Sequence, residues 1–379
     1  MNKKSLIIIP AVILLLVIGG VFFALKQSAS PEKTVDVLKK AVADDDPALL
    51  QDVIVTDNKQ AAVNKTAVQA LIAYLKENSS SYDAIKEGLE EQINEGDYTS
   101  TSQQISLTED GKKWGLFPQY KLKVKTAVIK VTGQNEDDRV SLTAGKSDQA
   151  IKKQKDNKYG PVIPGIYQLK VKVINDLGTF EKKEKKEVWG SSEVSVVIDS
   201  NALASSDKGV QKAVMKAMDM FNNDIVVYQT SGFDKTKLTN VTDEVLEGSL
   251  SLQESFEAVK DYIDEIHAQY EGAVVNLDDL SVHHFDGRWS ADVTALTAYN
   301  NKVKYRNVQE FEDTSFKSVN TYSLFYDQSK KKWLINDVKS REPGNQEADY
   351  WKNKQEMKMS SPPVLKWKRE GSPGTEVPL

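Results

Sequence analysis

Cysteine is absent from all 379 residues. Its absence excludes disulfides, thiolate zinc sites and cysteine nucleophiles. Exported domains in oxidising compartments often carry disulfides, so a chain without them fits a Gram-positive type of cell surface. Histidine is scarce as well: His267, His283 and His284 are the whole set. The adjacent pair falls on opposite faces of a strand, so no histidine-based metal site is expected, and no cofactor. No H-E-x-x-H, P-loop or G-x-G-x-x-G pattern occurs. Two Ser-x-x-Lys matches, at 205–208 and 329–332, lie in polar stretches without the S-D-N and K-T-G companions of penicillin-recognising enzymes, and read as chance. Asp44, Asp45 and Asp46 lack the spacing of a calcium loop and read as helix caps. Neither sign of charge dominates. The 50 basic and 55 acidic side chains are interspersed for a net −5, so nothing points to a nucleic-acid binder and no nucleic-acid partner is expected.

What is present begins with 6–25, LIIIPAVILLLVIGGVFFAL, which holds no charged residue. As a helix it spans about 30 Å, the thickness of a bilayer's hydrocarbon core. Lys3 and Lys4 precede it and acidic residues follow at 44–46, so the short N-terminal side is expected in the cytoplasm and the C-terminal part outside. Pro10 lies in the first turns, where a missing N–H is tolerated. A cleaved signal peptide is the rival reading, although its apolar core is usually about 7–15 residues. Ser28, Ala29 and Ser30 offer small residues for a peptidase.

From 31 to about 105 the apolar period is helical. Val35, Leu38 and Val42 share one face; Ser30-Pro31-Glu32 reads as a helix start and Asp46-Pro47 as a second. Val63, Ala67, Ala70, Leu71 and Tyr74 form another stripe, and 81–93 a further helix. These stripes build a small helical core rather than a groove. The period then turns to strict alternation at 120–131 and 167–173, with lysines on the wet face. Between them GPVIPG, 160–165, reads as a turn-rich lead into the strand at Tyr167. A strand is expected over 188–198. KKEKKE, 182–187, reads as a solvated loop guarding an edge strand, with contact to an anionic envelope polymer as the functional alternative. Val210, Val214, Ala217, Met218, Phe221 and Ile225 give a core stripe on one helix, and Phe256, Val259, Ile263 and Ile266 give another over 252–270. Strands are expected at 279–285, 288–299, 319–326 and 332–338, with one more around 302–308. The Pro- and Lys-rich 341–379 reads as a mobile tail in which Trp351 and Trp367 are out of place.

Asp286-Gly287 allows a closer reading. A two-residue Asp-Gly loop favours a type I′ turn. That register pairs Phe285 with Arg288, His284 with Trp289, Val282 with Ala291 and Leu280 with Val293. Leu280, Val282, His284, Trp289, Ala291 and Val293 then share the apolar face, and His283 points away.

The order of one span, an SPEK-type helical module, a β module containing KKWGLFPQYKLKVK and GPVIPGIYQLKVKVINDLGTFEK, and an α-plus-β end resembles the TcaA-like (teicoplanin-resistance-associated) membrane proteins of Gram-positive bacteria. The resemblance covers residues from 6 to about 338, with 160–167 its most telling piece. It implies successive small extracytoplasmic domains ending in an NTF2-like domain, and a link to the cell envelope and to glycopeptide response. Relatives commonly begin with a cytoplasmic zinc ribbon and can carry two β modules. This chain shows no cysteine pair and one β module.

The fold class expected is therefore α+β multidomain: a single N-terminal transmembrane helix, a helical domain, a small β-sandwich-like domain and a C-terminal NTF2-like cone. The expected division is 1–30 for stub and anchor (helix 6–25), 31–107 helical, 108–200 β, 201–340 NTF2-like and 341–379 flexible tail. The expected function is non-enzymatic binding or scaffolding at the cell wall by a single-pass protein whose domains are extracellular. Its expected partners are the membrane and a wall polymer or envelope protein. The alternative is an NTF2-like enzyme with His284 as general base beside Trp289, the two residues read as ligand-binding.

Overall fold

The computed structural model describes residues 30–99, 101–113, 115–358 and 361–372. The expected anchor at 6–25 lies outside the described residues. Among those residues no helix is long and apolar enough to cross a membrane. They form two compact units. One holds the residues up to 134 with Asp138–Ile174 and Glu181–Ile198; the other holds Asn135–Asp137, Asn175–Phe180 and the chain from Asp199 onward.

In the first unit, α1 (Pro31–Asp44) starts with Ser30 at its N-cap and Pro31 at the first helical position. It buries Val35, Leu38 and Val42, the stripe its sequence displays. Asp45 closes it in a left-handed conformation, and Asp46 accepts the Ala48 N–H to start the single turn α2 (Ala48–Gln51). The short strand β1 (Ile54–Thr56) leads to α3 (Lys65–Glu77), capped by the Asn64 side chain, and α4 (Ser79–Glu95), ended by Gly96. Strands β2 (Ile105–Lys113) and β3 (Phe117–Val124) form an antiparallel pair, with β1 parallel on the free side of β3. Ile105, Leu107, Leu122 and Val124 sink into the same core as the helices.

The alternating run 120–131 reads as one strand, but it is two. Chain pairing stops at Val124, and β4 (Ala127–Thr132) opens another sheet. The buried positions shift from even (Leu122, Val124) to odd (Ala127, Ile129, Val131) across the corner. Asp57 holds that corner: its Oδ1 accepts from the Thr126 N–H at 2.9 Å and from the Thr126 hydroxyl at 2.8 Å.

Strands β5 (Arg139–Ala144), β6 (Gln149–Ala150), β7 (Lys158–Val162), β8 (Gly165–Asn175), β9 (Gly178–Val188) and β10 (Glu193–Val197) follow. They make two sheets, ordered β10-β4-β7 and β6-β5-β8-β9. Tyr159 of β7 links them, its hydroxyl donating to the Val140 carbonyl of β5 at 2.7 Å. Two expectations are corrected here. The charge run 182–187 is not a loop: it lies within β9, the edge strand, where Lys183, Lys185 and Glu187 are exposed and guard the open edge. The expected strand over 188–198 is broken, since β9 ends at Val188 and the left-handed Gly190 turns the chain before β10.

The GPVIPG stretch is more than a turn. Gly160 to Val162 belong to β7 and Gly165 already to β8, so only Ile163 and Pro164 lie between strands. Ile163 and Ile166 plug into the helical core. Gly165 lies directly on α3: a Cβ there would stand 2.3 Å from the carbonyl carbon of Ala70.

The second unit opens with α5 (Ser200–Ser206), α6 (Lys208–Thr230), α7 (Asp243–Gly248) and α8 (Leu250–Val259). The helix expected over 252–270 ends at Val259. Ile263 begins β11 (Ile263–Phe285), where Ile266, Ala268 and Tyr270 alternate inward. The three-residue step from Ile263 to Ile266 also fits a helix, which is why period alone misleads. Strands β12 (Arg288–Tyr305), β13 (Glu312–Asp313), β14 (Phe316–Asp327), β15 (Lys332–Arg341), β16 (Lys354–Lys358) and β17 (Leu365–Lys368) complete a sheet ordered β15-β14-β12-β11-β16. The short β13 pairs with β12, and β17 lies further along β11.

The expectation of a mobile tail is corrected too. β16 pairs with Gly272–Asn276 and β17 with Glu265–Ala268, so the tail forms the outer edge of β11. Trp367 packs edge-on against Phe256 of α8 at 5.0 Å between ring centroids. Below it, Asp264 pairs with Arg369 at 2.6 Å, and buried Glu265 meets His267 at 2.5 Å and Lys368 at 3.5 Å.

Two outcomes are expected. Gly165→Ala forces a methyl into the Ala70 backbone and should lower stability by about 1–3 kcal/mol in urea denaturation, as overpacking does. Gly248→Ala, with open space around it, should leave stability nearly unchanged. The tail should also respond to acid. Burial alone would raise the Glu265 carboxyl, but His267 and Lys368 outweigh it and hold the group below its ordinary value. A carboxylate lowered in the folded state contributes stability above its unfolded pKa of about 4.3, and that contribution is lost as pH falls through the folded value. Hydrogen exchange at 365–368, corrected for its intrinsic rate, should therefore accelerate as pH falls below that range, and Glu265→Gln should abolish this pH dependence.

Candidate functional site

The hairpin takes the register its Asp-Gly loop dictates. Asp286 and Gly287 have φ of 50° and 70°, and Phe285 pairs with Arg288, His284 with Trp289 and Val282 with Ala291. The expected pairing of Leu280 with Val293 does not form. Between Asn276 and Ser281 the register shifts, because β11 carries extra residues there. Leu280 and Val293 are nevertheless both buried. His283 is exposed and faces away, as the pleat requires.

His284 and Trp289 do meet. Their ring centroids are 4.8 Å apart. Trp289 is buried, and the His284 side chain is only 8% exposed. The backbone N–H of His284 donates to Asn201 Oδ1 at 3.2 Å, and its Nε2 lies 3.9 Å from Asp137 Oδ2. The imidazole thus lies against the Trp289 ring, with the exposed Asp137 carboxylate near its Nε2. A general base needs a reacting proton within hydrogen-bond reach, and a ligand here would have to displace Asp137.

The concave face of the sheet is the other place to look. α6 lies across it and offers Asn222, which is 1% exposed. Asn222 Oδ1 accepts from the hydroxyls of Tyr299 and Tyr322, both at 2.8 Å. The network continues outward. Asn320 Nδ2 donates to Thr297 Oγ1 at 2.9 Å and to the Tyr322 oxygen at 3.1 Å, and Ser318 Oγ donates to Asn320 Oδ1 at 2.7 Å. Tyr270 lies against Tyr299 at 5.5 Å, and Phe221 meets Tyr322 edge-on.

Burial sets the chemistry of these groups. It pushes the Tyr322 phenol up to about 12, against the opposing hydrogen bonds of Asn320, Asn222 and Thr297. The Tyr270 and Tyr299 phenols are raised further by the same cause. None can ionise near neutral pH, so each acts as a neutral hydrogen-bonding group. Asp219, one turn before Asn222 on α6, is also raised by burial, with the Tyr270 hydroxyl opposing. Such a set can order a core, but it offers no charged base aligned on a substrate.

In the first unit a cleft runs beside α3, with Ala70, Ala73 and Tyr167 on its floor. Its rim charges are largely satisfied within the protein: Lys185 pairs with Glu77 at 2.7 Å, and Asp45 receives Gln69 at 2.9 Å. Among the described residues no group of three or more His, Cys, Asp or Glu could hold a metal ion.

The second unit is a sheet packed on one long helix, and the first begins with a helical module whose strands end at a sheet corner. Residues 214–339 match the family model described as YvbJ NTF2-like domain, and residues 31–124 match the TcaA protein second domain. The latter ends at the residue where β3 stops. The chain is also 22% identical over 391 aligned residues to a Bacillus subtilis (strain 168) protein described as uncharacterized membrane protein YvbJ. The alignment covers 84% of this chain and 64% of that protein, so the chain spans less than two thirds of the relative's length. The likeness to TcaA is carried by 31–124 and the likeness to YvbJ by 214–339, the two ends of the resemblance that the sequence order displays.

The Asn222 network was not legible from the apolar stripe on α6, although Asn222 follows Phe221 on the buried face. Its weight can be measured. Asn222→Leu removes the acceptor of two buried tyrosine hydroxyls and should destabilise the protein by about 2–5 kcal/mol, since each orphaned group costs about 1–3. Adding Tyr299→Phe and Tyr322→Phe to that variant should recover much of the loss in urea denaturation.

Proposed function

We propose that this chain is a membrane-anchored envelope protein of Gram-positive type whose extracytoplasmic domains bind or scaffold at the cell wall without catalysis. The observation that carries this reading is the concave face of the C-terminal sheet. Where an NTF2-like enzyme would keep a pocket, Asn222, Tyr299, Tyr322 and Asn320 close on one another. The membrane attachment rests on the apolar run at 6–25 with Lys3 and Lys4 before it, and on the description of the Bacillus relative as a membrane protein. The same run and charges support an orientation with the N-terminus in the cytoplasm and the domains outside. A connection with glycopeptide response follows from the TcaA likeness of 31–124. His284 and Trp289 take a packing role in this proposal.

Detergent-solubilised full-length protein should be retained on purified Gram-positive cell-wall sacculi in a sedimentation assay. Passage into the supernatant would overturn the wall-binding reading. His284→Ala should leave retention unchanged. A His284→Ala variant that folds but is no longer retained would move the site to the hairpin and restore the pocket alternative.

A further inference from the structure

One face of the second unit carries charge that the fold itself does not use. Lys208, Lys212 and Lys216 recur every fourth residue along the first half of α6. All three are exposed. Helical geometry sets them about 6 Å apart along the axis. Like charges at this spacing destabilise a helix, and cations near its N-terminus oppose the macrodipole. Lys208 is tethered to Gln211 at 3.1 Å, whereas among the described residues Lys212 and Lys216 have no carboxylate partner.

These lysines do not stand on a flat surface. They border a groove between α6 and β16 whose lining also holds Met215 and Met357; Asp219 of α6 lines it too, and on β16 Lys358 is paired with Glu356 at 2.9 Å, so the unbalanced basic charge comes from α6. Methionine is flexible and polarizable, suited to an apolar segment of varying shape. The groove also exists only because the tail pairs with β11, since β16 supplies its second wall.

We infer that this groove binds a linear phosphodiester polyanion, threaded along α6 with successive phosphates on Lys208, Lys212 and Lys216. An extended chain covers about 3.5 Å per three backbone bonds. The six-bond repeat of a glycerol phosphate polymer therefore spans about 7 Å, close to the step between lysines. The polyol carbons between phosphates would lie on the two methionines. A bilayer surface presents the same phosphates but cannot enter a groove walled on both sides. This inference rests on the envelope-binding reading above and gives it a ligand class and a location.

The test uses full-length protein in neutral detergent and a fluorescent poly(glycerol phosphate) ten-mer, followed by anisotropy. The wild type should bind, and raising salt from 50 to 200 mM should weaken binding about 20-fold if three phosphates are neutralised. Lys208→Glu/Lys212→Glu/Lys216→Glu should lose binding more than tenfold while Lys330→Glu/Lys331→Glu, outside the groove, keeps it. The surface triple variant should retain its circular dichroism spectrum, and Lys212→Gln/Lys216→Gln provides a milder version with a partial loss. Equal binding by the triple variant would overturn the inference, as would binding of the wild type to phosphatidylglycerol vesicles but not to the ten-mer. If the triple variant is still retained on sacculi, wall binding stands and the groove is not its site.

Discussion

A sheet that curls over a helix must fill its own concave face or leave it to a ligand. In the second unit that choice is made by one amide. Asn222 reaches from α6 to accept two tyrosine hydroxyls from neighbouring strands, β12 and β14. Each bond alone contributes only about 1 kcal/mol, yet removing the shared acceptor leaves two buried donors unpaired, so the penalty exceeds the sum of the bonds. The position of α6, the inward aim of Tyr299 and Tyr322, and the closure of the face are set together. Raised phenol pKa values follow from the same burial and keep the groups neutral. The placement of the helix and the neutral state of the phenols are therefore two consequences of one packing solution.

The first unit depends on a different constraint, the bare backbone at Gly165. With no Cβ, β8 can start against the Ala70 carbonyl while Ile163 and Ile166 enter the helical core on either side of it. Trp189, stacked on Tyr74 at 3.8 Å, adds a second attachment from the loop after β9. The helices and the strands after 126 thus share apolar anchors rather than meeting through exposed polar faces. A sequence feature that looked like turn chemistry is in fact what joins the two modules.

Local rules that carry a fixed geometry were legible in the sequence. Ser30-Pro31 fixed a helix start, and Asp286-Gly287 fixed a register down to His284 opposite Trp289. What failed were places where one pattern fits two structures. Ile263 and Ile266 satisfy a helical step as well as an irregular strand start, and only pairing with β12 and β17 decides. The run 120–131 alternates throughout, yet its parity shift at 125–126 signals a corner that Asp57, almost 70 residues earlier, has to hold. The tail hid a four-residue strand among prolines and lysines because Leu365 and Trp367 are too short a pattern to register without their partner strand. For the site, the position of His284 was readable but its enclosure was not, since Asn201 and Asp137 approach from distant parts of the chain.

Charge completes the argument. On β9 the exposed edge reads Glu181, Lys183, Lys185 and Glu187, and Lys185 is neutralised by Glu77, so that run keeps an edge solvated and is locally balanced. Along α6 the lysines stand four apart, and two of them have no acidic partner among the described residues. The two arrangements differ in outcome: the run on β9 is balanced within the fold, whereas the row on α6 leaves an excess of basic charge on its side of the groove. Like charges at this spacing work against the helix that carries them, and the proposed anion in the groove would offset that cost. At that outer groove a chain-like anion can lie along the helix without entering the core, whose polar groups are already paired with one another.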